Sequence, residues 1–163
     1  MDKAEFRVHE IGVVHTKLPQ DTIRSDARDL HAVIEIHPEY QEALEGIDGF
    51  SHVFVLSYFD KLRPDQIGPL KVKPRRLLRY GLKLDDLPLL GVFALDSPTR
   101  PNPIGITLVK LIRRDRNQLH VEGLDLFDGT PILDIKPYRE NYRSEGFEIP
   151  EWDKRLRELT GRT

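Results

Sequence analysis

The chain has no cysteine and only one methionine and one tryptophan among its 163 residues. Without cysteine there is no disulfide, no thiolate metal ligand and no cysteine nucleophile. This fits a reducing compartment. No apolar run is long enough to span a bilayer, and Met1-Asp2-Lys3 leads into polar text with no signal-peptide core. The expected location is the cytoplasm. GxGxxG and GxxxxGKS are both absent, so no Rossmann or P-loop nucleotide site is indicated. HExxH is also absent and the six histidines are scattered, so no metal site is expected. Ser97 lies on a turn but lacks a surrounding GxSxG, which argues against a serine nucleophile. Neither internal repeats nor low-complexity segments occur. A strong charge of either sign is missing too: the formal net charge is −2, so any nucleic-acid role requires a local patch.

What is present is enough apolar residue (39%) for one packed domain, under a surface rich in charge (32% charged residues overall). The chain is organised around Gly91 to Leu111. Gly91-Val92-Phe93-Ala94-Leu95 reads as a short buried strand, and Ile106 to Leu111 as a β-branched one. Between them, Pro98, Pro101 and Pro103 fall within six residues. Each proline lacks an N–H and has a fixed φ, so this is a stiff loop. A stiff loop bearing Asp96, Ser97, Thr99, Arg100 and Asn102 loses little entropy when it binds a ligand. The plainer alternative is an irregular connection whose polar groups face water.

Elsewhere the periodicity predicts mostly strands. Phe6 to Thr16 reads as one strand, bulged near Gly12. Leu18 to Leu30 is polar, a long loop or a loose turn of helix. Ala32 to Ile36 is a strand, Pro38 to Leu44 a short helix, and Ser51 to Phe59 a hydrophobic strand. His52, at the start of that strand, reads as a capping or satisfied histidine. Lys71, Lys73, Arg75, Arg76 and Arg79 form the one basic cluster, five cations in nine residues. They would neutralise several phosphates, or simply form a solvated surface with Asp85 and Asp86. Leu82 to Leu90 is expected to be an exposed loop. Ile106 to Ile112 and Gln118 to Leu124 form a hairpin turned by Arg114 to Asn117, Asp128-Gly129 is a turn, and Pro131 to Ile135 is the last strand. Glu151 to Leu159 is a helix with Trp152, Leu156 and Leu159 on one face. About seven short strands, with almost no helix before the end, predict an all-β fold. The expected form is a small antiparallel β-barrel (residues 1–140) followed by a tail and short helix (residues 141–163).

Four stretches carry a family resemblance: the loop from Ser97 to Gly105 (SPTRPNPIG), Gly49-Phe50-Ser51-His52, the run from Leu124 to Pro131 (LDLFDGTP), and Asp134-Ile135-Lys136-Pro137-Tyr138. In their order along the chain they resemble the TsaA-like family between about Ile11 and Tyr138. The resemblance implies a β-barrel homodimer that uses S-adenosylmethionine to methylate threonylcarbamoyladenosine in tRNA. It places Asp60, Lys61, Asp96, Ile106, Glu122, Gly123, Leu124 and Asp125 at cofactor-contacting positions, and Arg100 is retained from the family loop. The loop carboxylates (Asp60, Asp96, Asp125, Asp128, Asp134) suit the ligand's sulfonium, ammonium and ribose diol. Asp96, Asp125 and Asp134 are the candidates for a general base.

Two departures stand out. Thr22-Ile23-Arg24-Ser25-Asp26 replaces a Pro-Arg-Gln-like cofactor sequence, and Leu95-Asp96-Ser97 replaces Thr-Arg-Ser. The second reverses a charge in the site. The implied partner is the tRNA anticodon loop, held by Lys71, Lys73, Arg75, Arg76 and Arg79. A small-metabolite acceptor, favoured by Asp96 and the mild net acidity, is the rival reading. A non-catalytic module that binds the cofactor or RNA is the third.

Overall fold

The computed structural model of the chain describes residues 4–25 and 30–161. Six strands close into an antiparallel barrel: β1 (Gly12–His15), β2 (His31–Ile36), β3 (His52–Tyr58), β6 (Ile104–Asp115), β7 (Gln118–Glu122) and β8 (Pro131–Pro137). Around the barrel their order is β1-β2-β7-β6-β3-β8, with β8 returning to β1. The strands alternate, so each turns one set of side chains inward. Val14, Ile34, Val53, Val55, Val109, Leu119, Val121 and Ile132 fill the interior. Two short strands, β4 (Lys71–Val72) and β5 (Leu90–Gly91), pair separately as the stem of the long β3–β6 crossover. The helices are α1 (Gln20–Ser25) and α2 (Glu151–Thr160). No helix among the described residues is long and apolar enough to cross a membrane.

Connectivity sorts the loops. The β1–β2, β3–β6 and β7–β8 connections all emerge at one end of the barrel, the mouth, where β1, β3 and β7 end and β2, β6 and β8 begin. At the other end are the 3-10 helix Pro38–Leu44, which stands where a short helix was expected, and the β6–β7 turn at Arg116-Asn117.

Several expectations need correction. Val92–Ala94 is a turn of 3-10 helix, not a buried strand, and Phe93 is 85% exposed. The carbonyls of Val92 and Leu95 accept hydrogen bonds from the Arg100 guanidinium, and no neighbouring strand pairs with them. Phe6 to Thr16 contributes strand only at Gly12–His15; Phe6 and Val8 are exposed. Leu82 to Leu90 is not an open loop. Leu87 is buried, and with Leu77 and Leu156 it forms a second apolar cluster flanked by Leu82 and Trp152. α2 thus packs on the crossover, although Leu159, expected on the same face, is exposed. Of the family-departing stretch, Thr22 to Ser25 lies in α1, and Asp26 lies outside the described residues.

Candidate active site at the barrel mouth

Gly105 explains why the proline loop enters β6 as it does. It lies opposite Ser57 of β3, and a Cβ there would come within 2.7 Å of both Phe59 Cζ and Ser57 Oγ. Phe59 therefore closes over the barrel end only because residue 105 has no side chain. Its N–H donates to Pro103 O at 2.8 Å, tying the β3 end to the loop. Ser57 is fully buried, and its Oγ has no hydrogen-bond partner among the described residues.

Two residues further along β6, Thr107 turns toward the mouth and donates its hydroxyl to Asp125 Oδ1 at 3.0 Å. The other carboxylate oxygen lies 3.8 Å from Arg76 Nη1. Arg76 belongs to the 3-10 helix Arg75–Tyr80, whose Leu77 is buried against α2 while Arg75, Arg76 and Arg79 are exposed. The basic cluster is thus mounted on an apolar anchor, with one cation directed at a candidate base.

On the adjoining side, Lys61 Nζ donates to the Asp128 carbonyl, and Asp128 Oδ1 accepts the Thr16 N–H at 2.9 Å. This pins the β3, β1 and β7–β8 connections together. Gly123 has φ +90°, a left-handed conformation suited to glycine, and its N–H donates to Leu30 O at 2.9 Å. Glu122, just before it, sits 3.6 Å from Lys110 Nζ and 3.9 Å from His31 Nε2.

The sequence-derived residues separate into groups. Asp60, Lys61, Glu122, Gly123, Leu124 and Asp125 gather on the ends of β3 and β7 at the mouth, with Leu124 buried in the core. Asp96 is exposed on the crossover loop. Arg100 is turned into its own loop, donating to Ser97 O and Val92 O at 2.9 Å each and to Leu95 O. That assigns it the work of shaping the loop. Ile106 lies on the outer surface of β6, 67% exposed, on the opposite side of the strand from Thr107. Asp134 lies on β8, where Lys136 Nζ (2.7 Å) and the Ile135 N–H (2.9 Å) hold its carboxylate. The same pairing raises the Lys136 pKa above the ordinary lysine value, chiefly through the hydrogen bond to Asp134. In the basic stretch, Lys71 begins β4, Lys73 donates to Leu84 O at 2.8 Å, and Arg79 stacks over Tyr80 at 4.8 Å. His52 bonds Ser51 Oγ at 3.0 Å, away from the mouth. Among the described residues, no His, Asp or Glu group has the arrangement of a metal site. Thr107 was not singled out in the sequence. Its signal was a polar residue in the inward phase of β6, between Gly105 and Val109.

Fold and site together define a small antiparallel barrel domain whose polar groups converge on one mouth. Residues 13–144 match the tRNA-methyltransferase O N-terminal domain, and the chain belongs to that family. A Methanothermobacter thermautotrophicus protein named "Probable S-adenosyl-L-methionine-binding protein" is 39% identical over 153 residues, spanning 90% of this chain and 100% of that protein. A mouse protein named tRNA (adenine(37)-N6)-methyltransferase is 43% identical over 108 residues, spanning 66% of this chain but 22% of its own length. A crystal structure of TrmO superposes with a TM-score of 0.67 at 31% identity, covering 89% of this chain and 64% of that one.

Proposed function

We propose that the chain is an S-adenosylmethionine-dependent methyltransferase acting on N6 of threonylcarbamoyladenosine beside the tRNA anticodon, as a cytoplasmic homodimer. The observation that carries this reading is the mouth itself: in a chain of this family, Asp125 is held by Thr107 from the barrel and approached by Arg76 from the basic segment. The donor set suits the cofactor. Asp60 and the backbone groups of Glu122 to Asp125 can accept from an ammonium and a ribose diol, and carboxylates favour a sulfonium nearby. The bound cofactor supplies an electrophilic methyl group; the protein's task is to align the acceptor and remove its proton. The N6 lone pair is delocalised, so Asp125 would serve as the general base, accepting the N6 proton as the N–C bond forms and the methyl carbon's bond to the departing sulfur breaks. Thr107 fixes which carboxylate oxygen is offered. Asp134, already paired with Lys136, is the weaker candidate.

Lys71, Arg75, Arg76 and Arg79 hold the anticodon-loop phosphates. The dimer forms through the outer face of β6 and β3. There Ile104, Ile106 and Leu108 are exposed beside Tyr58, Leu56 and Phe54, an apolar strip that a second copy would cover. This accounts for Ile106 standing apart from the mouth of its own barrel.

The test is methyl transfer from labelled cofactor to tRNA that carries threonylcarbamoyladenosine but lacks the methyl group, with nucleosides identified by mass spectrometry. The expected product is the methylated nucleoside, and Lys71→Glu combined with Arg75→Glu abolishes it. Asp96, with its charge reversed from the family's arginine, favours a small-molecule acceptor instead. On that reading the tRNA is not methylated, and cofactor binding persists in the same preparation.

A further inference from the structure

The outer face of β1, β2 and β7 carries a groove for which the proposed reaction has no use. Strand register aligns His15, Val33, His120 and Arg113 in one row: His15 faces Val33, Val33 faces His120, and His120 faces Arg113. A groove of about 710 Å³ follows this row. One end is walled by Thr16, Lys17, Leu18 and Asp128, so it opens from the corner of the mouth that Lys61 and Thr16 pin; the other end reaches Ile112 and Arg113. Val33 and Ile112 give it an apolar floor.

The two imidazoles flanking Val33 belong to strands two apart, a separation of about 10 Å. That is wide enough to admit one flat heteroaromatic ring. The carboxylates nearby are already engaged: Glu35 with His15 at 3.5 Å and Gln118 at 3.1 Å, Glu122 with Lys110 and His31, Asp128 with the Thr16 N–H at 2.9 Å, and Asp115 with Arg113. His120 is incompletely bonded. Its Nδ1 lies 3.5 Å from Arg113 Nη2, and its buried Nε2 has no partner among the described residues. Lys17 and Arg113 place an exposed cation near each end, Arg113 also lying 3.9 Å from the Asp115 carboxylate.

We infer that this groove binds a nucleotide of the substrate RNA next to the acceptor adenosine. The base lies on Val33 between the imidazoles of His15 and His120, and the flanking phosphates meet Lys17 and Arg113. Imidazole and guanidinium planes stack on bases whatever the sequence. Single cations at opposite ends suit a phosphodiester chain passing through. A free nucleotide's terminal phosphates would instead call for a Gly-rich loop, which the chain lacks. The inference rests on the tRNA reading above and adds a second contact surface besides the basic helix.

The probe is an anticodon stem-loop RNA carrying threonylcarbamoyladenosine. Its affinity is measured at several salt concentrations, alongside calorimetric binding of S-adenosylmethionine and turnover. Lys17 and Arg113 are exposed, so Lys17→Glu and Arg113→Glu leave the core intact. Each is expected to weaken RNA binding roughly tenfold and to flatten the salt slope by about one. His120→Ala should weaken binding by about fivefold without changing the slope, as loss of stacking alone would. Cofactor affinity and turnover at saturating RNA should stay at wild-type values. RNA affinity unchanged in all three variants, with the wild type methylating the stem-loop, overturns the groove assignment and leaves the functional reading standing. A parallel loss of cofactor affinity overturns it too, assigning the groove to the cofactor's own adenosine. A wild-type protein that neither binds nor methylates the stem-loop overturns the functional reading, and the groove assignment with it.

Discussion

The barrel and the β3–β6 crossover are written in similar text but built by different rules. Val53, Val55 and Val109 lie in strands because each has a strand on both sides, and closure leaves no unpaired edge. Val92-Phe93-Ala94 is as apolar, yet it folds as a 3-10 turn. The Arg100 side chain holds the carbonyls of Val92 and Leu95, and of the three residues only Val92 finds a buried place. In the barrel the backbone ladder decides the structure and side chains fill it. In the crossover a few side chains decide it: Arg100 for the loop, and Leu77, Leu87 and Leu156 for the basic helix. The candidate site sits where the two meet, with Thr107 from the barrel and Arg76 from the crossover on the same carboxylate.

The sharpest way to probe that meeting point is Asp125→Asn. It keeps the size and one acceptor oxygen, so cofactor binding should persist while single-turnover methyl transfer falls by about 100-fold, the loss expected for a general base. Equal loss of binding and turnover would make Asp125 a structural residue. Leu156→Ala should come next. It empties part of the apolar cluster under the basic helix, at a local cost of about 2–3 kcal/mol. Limited proteolysis should then cut between residues 64 and 90 while hydrogen exchange in the barrel strands stays slow; loss of barrel protection as well would mean the two regions fold as one. Gly105→Ala strikes the barrel side. The clash with Phe59 and Ser57 should cost about 1–2 kcal/mol and lower the thermal midpoint by several degrees, at roughly 2–4 °C per kcal/mol for a chain of this size. The smallest effect belongs to Arg76→Gln. Its pairing with Asp125 is long and half-exposed, so the pair contributes under about 1 kcal/mol. Turnover should fall only a few-fold at saturating RNA, with stability unchanged.

Much of the barrel was legible because alternation over five or more residues has one physical reading. The strands at Ala32 to Ile36, Ser51 to Phe59 and Pro131 to Ile135 were placed within a residue or two of their ends. The Asp128-Gly129 turn followed from local backbone chemistry and is present, with Thr130 N–H bonding Phe127 O at 3.1 Å. Family membership was legible from motif text alone. Misreadings fell where the chain has few neighbours or unusual ones. Phe6 and Val8 have strand-like spacing but no strand to pair with. Leu82 and Leu87 sit among charges, and only the approach of α2 from about seventy residues away buries Leu87 and half-buries Leu82.

By itself, then, the sequence determined the all-β class, most strand positions, the stiffness of the proline loop and the family. These rest on interactions between near neighbours: φ restriction at proline, side-chain alternation, turn preference at glycine. Tertiary structure alone decided that Arg100 serves its own loop, that Ile106 faces away from Asp125, that Thr107 and Arg76 share one carboxylate, and that His15, His120 and Arg113 stand in a row. Those facts depend on strand register and barrel closure, which set distances between residues remote in the chain and leave no trace in local spacing.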